Sequence, residues 1–149
     1  MKKKMIPVTI LSLVLILLCV KTYANYKSAV KVNVHGTSGK IECNASIDSN
    51  SYVSDNGYAA FKVTVTNYNG SKLTNVPFKY KLTVENNNST VGNYRFDDSS
   101  FSKKLVTDYK TFGASTEESE EFLIEVKADT NVAQTVNYKV TLDCYQINE

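Results

Sequence analysis

Apolar and polar residues alternate one by one through most of this chain, and that alternation limits its fold more than any other feature. Successive side chains of a β-strand point to opposite faces, so a two-residue period predicts strands that are buried on one side. Helical periodicity is nearly absent. The residues expected to face inward are Ser28, Val30, Val32 and Val34; Ile41, Cys43, Ala45 and Ile47; Phe61, Val63 and Val65; Phe78, Tyr80, Leu82 and Val84; Phe122, Ile124, Val126 and Ala128; and Val136, Tyr138, Val140, Leu142 and Cys144.

Turns and weaker segments separate these predicted strands. Polar loops are expected at residues 35–39, 48–57, 68–70 and 85–89, and short strands at residues 94–96 and 104–107. Six or seven strands with one apolar face each predict an all-β fold, namely an antiparallel β-sandwich of the jelly-roll or immunoglobulin-like kind. The chain has no tryptophan, so the cysteine–tryptophan–cysteine core of antibody domains is excluded.

The first 24 residues have the layout of an export signal. Three lysines, Lys2 to Lys4, precede an uncharged run at residues 5–20, and Ala24 supplies a small residue for cleavage. We therefore predict an apolar signal helix at residues 1–24 and a single β-sandwich domain at residues 25–149. The alternative is an uncleaved membrane anchor, although the apolar run is shorter than the roughly 20 residues that span a bilayer. Both alternatives predict a domain that is secreted or held at the extracellular face of the membrane, with membrane contact through residues 1–24 alone.

Removal of this segment changes the charge of the protein. Four of the 17 basic residues lie within residues 1–24, while all 15 acidic residues lie beyond them, so residues 25–149 carry 13 positive and 15 negative charges. The slightly basic balance of the full chain thus comes from the export segment. A net charge of −2 gives no reason to expect a nucleic-acid partner.

One of the three cysteines lies within residues 1–24, and the other two lie after them. Cys19 lies in the apolar run, which leaves Cys43 and Cys144 as the cysteines of the exported domain. Disulfides form and persist in exported proteins, and both residues fall on predicted inner faces. We expect them to form a disulfide between two strands through the core; the alternative is a pair of free buried thiols.

The sequence offers little support for catalysis. His35 is the single histidine and adjoins a glycine turn, where a solvated loop residue is the simplest interpretation. With both cysteines expected to be oxidised, no zinc site, cysteine nucleophile or cofactor is predicted. The acidic run at residues 117–121 is interpreted as a solvated surface, and residues 48–52 resemble a calcium loop only at their start. We therefore predict a protein without enzymatic activity.

Three stretches resemble the TasA/camelysin-like proteins of Gram-positive bacteria, whose signal is removed by a SipW-type peptidase. They are the junction TYANY at residues 22–26, the segments FKVTVTN and VPFKYKL at residues 61–67 and 76–82, and YKVTLDCYQ at residues 138–146. The resemblance implies a jelly-roll-like sandwich and a role in matrix or biofilm fibres at the cell surface. The chain departs from the family pattern in its cysteine pair and in Lys27 and Ser28, which replace acidic and aromatic residues.

In such fibres the N-terminal segment of one subunit can complete the sheet of the next. Residues 25–34 are the candidate donor strand here, with Val30, Val32 and Val34 offered to one groove. The alternative is an ordinary first strand within its own domain. The leading hypothesis is thus an exported protein that acts by self-association or by adhesion to other surface or matrix proteins. The second is a membrane-tethered extracellular binding module of a surface or secretion complex.

Overall fold

The computed structural model describes residues 26–36, 39–87, 92–96, 98–129 and 136–147. The predicted signal segment, with Ala24 and Cys19, lies outside these residues. The described residues contain strands, turns and bends but no helix, and therefore none able to cross a membrane. The strands are β1 (Tyr26–His35), β2 (Asn44–Val53), β3 (Ala59–Thr66), β4 (Tyr68–Asn69), β5 (Lys72–Leu73), β6 (Phe78–Asn86), β7 (Gly92–Phe96), β8 (Lys104–Val106), β9 (Lys110–Phe112), β10 (Ser119–Ala128) and β11 (Val136–Gln146).

These strands form two main sheets and a small hairpin. Sheet A has the order β1–β11–β6–β8, with β9 also paired to β6. Sheet B has the order β2–β3–β10–β7, and β4 pairs with β5 in the hairpin that follows β3. The all-β prediction is confirmed.

The core is formed by the inner faces of both sheets. Phe61 of sheet B stacks on Tyr138 of sheet A with ring centroids 4.1 Å apart, and Tyr94 packs edge-on against the same tyrosine at 6.2 Å. The predicted inward residues of β3, β6 and β11 are buried, as are Phe122, Ile124 and Val126 of β10. Two sheets over one shared core give a β-sandwich-like arrangement.

The direction of one strand corrects the antiparallel prediction. β1 runs parallel to β11, so sheet A is mixed, whereas the other described strand pairs are antiparallel. Alternation of apolar and polar residues indicates which face of a strand is buried but carries no information about the direction of its neighbour.

The loop predictions at residues 35–39, 48–57 and 85–89 were also partly wrong, the first because His35 is the last residue of β1. β2 continues to Val53 through the polar residues that were predicted to be a loop, with an irregular register between Asp48 and Tyr52. β6 likewise extends through Glu85 and Asn86. Main-chain pairing to a neighbouring strand satisfies backbone groups whatever the side chains are, so a polar segment next to a strand can continue it.

The predicted disulfide is confirmed. Cys43 immediately precedes β2, Cys144 lies in β11, and the bond between them joins residues 101 positions apart. Cys144 is fully buried, and Cys43 packs against the core. The bond therefore links the residue just before the first strand of sheet B to a strand in the interior of sheet A.

Candidate functional site: the N-terminal edge strand

Strand β1 forms one edge of sheet A. It pairs with β11 over ten consecutive positions, from Tyr26 opposite Val136 to His35 opposite Tyr145. This places the predicted donor residues Val30, Val32 and Val34 opposite Val140, Leu142 and Cys144. The other side of β1 pairs with no described strand, so its main-chain groups form an open edge.

The valines of β1 are poorly covered. Val30 is 42% exposed and Val34 49% exposed, although their partners Val140 and Cys144 are fully buried. Val32 is partly buried and packs against the core. Full burial of a valine side chain contributes about 1.5 kcal/mol, and a half-exposed valine gains only part of that. Side-chain burial therefore holds β1 less strongly than it holds the interior strands.

The outer face of β1 makes polar and aromatic contacts with β11. The Asn33 side-chain amide donates a hydrogen bond to Asp143 at 2.8 Å. His35, predicted to be a loop residue, is the last residue of β1, and its exposed ring stacks on Tyr145 with centroids 4.7 Å apart. These contacts, together with the main-chain ladder, attach β1 to β11.

The strand that receives β1 is held independently of it. β11 pairs with β6 over nine positions on its other side, and Cys144 bonds it to Cys43. The chain just before Cys43 is fixed as well, because Lys40 and Asn75 exchange two hydrogen bonds of 2.7 and 3.1 Å. Departure of β1 would therefore leave β11 in place with an unpaired edge.

Side chains of the acidic run at residues 117–121 form hydrogen bonds and ion pairs with other residues of the fold. Glu118 accepts a hydrogen bond from the Gly113 amide at 2.9 Å. Glu120 binds both Lys110 and the hydroxyl of the buried Tyr80, whose pKa is raised first by burial and then by this carboxylate. These glutamates are occupied in structural hydrogen bonds and ion pairs.

Asp48, at the start of the weak calcium-like segment, is similarly occupied. It accepts hydrogen bonds from the Tyr52 hydroxyl and from the Asn50 amide, and both lower the pKa of its carboxyl group. Within the described part of the chain, no three histidine, cysteine or acidic side chains converge to hold a metal ion.

A buried ion pair on the outer face of sheet B was not predicted. Glu125 is only 4% exposed, and it binds Arg95, whose guanidinium lies 5.0 Å from the Tyr58 ring and 4.5 Å from the Phe101 ring. Burial alone would raise the pKa of Glu125, but hydrogen bonds from Ser54, Arg95 and Asn56 and the charge of Arg95 lower it. Alternation with the inward residues Ile124 and Val126 predicts Glu125 on the outer face, as found, but the rings beside its partner Arg95 come from distant loops.

A groove of about 430 Å³ lies between the two sheets at the edge opposite β1. Its wall combines apolar and charged side chains, among them Phe96, Phe122, Leu123, Lys110 and Asp108. The volume lies within the range of small-ligand sites. This groove was not predicted, because its residues come from segments that are separate in the sequence.

No protein-family model, curated protein or solved structure matches this chain. The resemblance to TasA/camelysin-like proteins therefore stays a prediction. The function is inferred from the edge strand and its surroundings.

Proposed function

We propose that residues 25–149 are an exported, non-enzymatic protein of the cell surface or extracellular matrix that self-associates by exchanging β1. In the assembled form, β1 of one copy pairs with β11 of the next copy. The observation that carries this proposal is the half exposure of Val30 and Val34 on an edge strand whose acceptor is fixed without it.

Exchange of an identical strand requires little energy at equilibrium. The same ten register pairs form whether β1 comes from the same copy or from a neighbour, so the exchanged state loses no described contact between β1 and β11. This is the physical basis of domain swapping. When each copy donates to a different neighbour and the arrangement does not close, the product is a fibre.

The proposed location rests on the disulfide and on the N-terminal segment. A disulfide between residues 101 positions apart suits an oxidising compartment outside the cytoplasm. With the export-type segment at residues 1–24, it supports a secreted or surface-exposed protein. The finer proposal is a jelly-roll-like subunit of a Gram-positive biofilm matrix, which binds copies of itself or other matrix proteins.

A disulfide that locks β1 onto its own β11 tests the exchange. Ala29 and Lys139 are register partners, so Ala29→Cys/Lys139→Cys should form a cross-strand bond. The matched control is Thr83→Cys/Thr141→Cys, which joins β6 to β11 and leaves β1 free. Peptide mapping under non-reducing conditions verifies each new bond and the native Cys43–Cys144 bond.

Polymerisation of residues 25–149 is followed by light scattering and electron microscopy. We expect fibres from the unaltered protein and from the β6–β11 control, and monomers from the variant with β1 locked. A variant lacking residues 25–34 has no strand to donate. When it is mixed with unaltered protein, it should accept a strand at the end of a fibre and stop the growth of that fibre. Fibres from the locked variant, or none from the unaltered protein, would contradict the proposal.

The second candidate function is a membrane-tethered binding module, and the groove between Phe96 and Lys110 favours it. In that case residues 1–24 stay attached as an anchor. Mass spectrometry of the exported protein decides between the two: a chain that begins at Asn25 supports release into the matrix. A chain that retains the basic N-terminus in the membrane fraction supports the tethered module.

A further inference from the structure

The outer face of sheet A carries ordered rows of side chains across three strands. The strand registers place His35, Tyr145 and Lys79 in one row, followed by Asn33, Asp143 and Lys81 in the next. Lys31, Thr141 and Thr83 form the third row, and Ala29, Lys139 and Glu85 the fourth. Neighbouring strands lie about 4.8 Å apart, so each row spans about 10 Å. We call this surface the lysine face.

The lysine face is positively charged although the exported domain is acidic overall. Its rows contain Lys31, Lys79, Lys81 and Lys139, and Lys104 of β8 continues the fourth row beyond Glu85; the carboxylates of the face are Glu85 and Asp143. Glu85 pairs with both Lys104 and Lys139. Lys31, Lys79 and Lys81 form no ion pair with a described carboxylate, so their charges are available to a partner.

Aromatic rings border these free lysines. Tyr145 lies between His35, on which it stacks, and Tyr109, which meets it edge-on with centroids 6.0 Å apart. The ammonium groups of Lys79 and Lys81 lie 4.8 and 5.5 Å from the centre of the Tyr109 ring. Tyr109 is 51% exposed. The rings therefore hold the lysine side chains at the surface beside polar threonine and asparagine groups.

We propose that the lysine face binds an acidic polysaccharide, such as a polyuronate. Unpaired lysines supply charge complementarity for sugar carboxylates, and the neighbouring polar side chains can hydrogen-bond sugar hydroxyls. A single-stranded nucleic acid fits less well, because base stacking requires free ring faces. Here Tyr145 is flanked by His35 and Tyr109, and the Tyr109 ring already receives two ammonium groups.

This inference does not depend on exchange of β1. Ala29, Lys31, Asn33 and His35 belong to β1, and the other row members belong to β6 and β11, with Lys104 in β8 and Tyr109 in the chain that follows β8. The rows are complete in a single copy whose β1 pairs with its own β11. They form again when β1 comes from a neighbouring copy in the same register. Binding is therefore measured on the monomer fraction from size exclusion, where failure to bind leaves the fibre proposal untouched.

The test compares two double variants that remove the same charge. Lys79→Ala/Lys81→Ala removes two free lysines from the face. The control Lys72→Ala/Lys127→Ala removes two lysines that also form no ion pair with a described carboxylate but lie on other surfaces. Affinity for polygalacturonate is measured by biolayer interferometry at physiological ionic strength, with dextran as the neutral polymer and single-stranded DNA as the competing polyanion. Thermal melting checks that all variants are folded.

We expect the unaltered protein to bind polygalacturonate and not dextran. Lys79→Ala/Lys81→Ala should weaken binding about tenfold, and the control pair less than about twofold. Absence of polygalacturonate binding would overturn the proposal. An equal loss of affinity for polygalacturonate in both double variants would overturn it too, since binding would then depend on net charge alone. Tighter binding of DNA than of polygalacturonate would show that the face serves a different polymer.

Discussion

Replacing Cys43 and Cys144 together by alanine is expected to lower the free energy of unfolding by about 4 kcal/mol. The bond closes a loop between residues 101 positions apart, so its loss gives the unfolded chain much more conformational freedom. The buried Cys144 also loses packing against the core when its sulfur is removed. Urea unfolding of both proteins, followed by tyrosine fluorescence, measures the difference.

Reductant supplies the control for this experiment. The double variant should unfold at the same urea concentration with and without dithiothreitol, whereas the unaltered protein should move toward the variant when it is reduced. Identical unfolding midpoints for the oxidised protein and the double variant would mean that the bond does not stabilise the domain.

The second large effect is expected at the buried ion pair. Glu125→Gln should lower the free energy of unfolding by about 3 kcal/mol at neutral pH, because it leaves Arg95 beneath Tyr58 and Phe101 without a carboxylate. Glu121→Gln is the matched control on the same face of β10. Its carboxylate is about half exposed and pairs with Lys62, so its loss should cost less than about 1 kcal/mol. Equal losses in the two variants would contradict a special role for the buried pair.

The same pair predicts a dependence on pH. Folding lowers the pKa of Glu125, since hydrogen bonds from Ser54, Arg95 and Asn56, with the charge of Arg95, outweigh the opposing effect of burial. Because this pKa is lower in the folded protein than in the unfolded chain, the ionised carboxylate stabilises the fold at any pH above the pKa of the unfolded chain. The stabilisation is lost as the pH falls through the pKa of the folded protein. The difference between unaltered protein and Glu125→Gln should therefore shrink between neutral pH and about pH 3 in urea titrations. A constant difference would refute this assignment.

Much of the fold follows from local alternation. Val63, Val65, Leu82 and Val140 were predicted to face inward and are fully buried, because a period of two leaves a strand one way to bury its apolar side. The disulfide was predictable as well, since the predicted export segment contains Cys19 and the other two cysteines fall on predicted inner faces. Strand β9, Lys110–Phe112, was missed because its first two residues are both exposed and only Phe112 is buried, so it shows no alternation.

Other features depend on contacts between segments that are distant in sequence. The parallel partnership of β1 and β11 joins the two ends of the domain, and nothing in either segment specifies it. Glu125 looks like a surface residue because Tyr58 and Phe101, which flank its partner Arg95, lie in other segments. The lysine face is likewise visible only when the registers of three strands align Lys31, Lys79 and Lys81.

Because β1 pairs with a different strand, β11, and not with another β1, the pairing has a consequence for polarity. Tyr26 and Val136 begin the pair at one end of sheet A, and His35 and Tyr145 reach the opposite end about 30 Å away. A filament that repeats this pairing head to tail has two unlike tips, one presenting an unoccupied β11 and the other an undocked β1. Its growth and its termination are then directional, and a factor that recognises one tip cannot recognise the other in the same way.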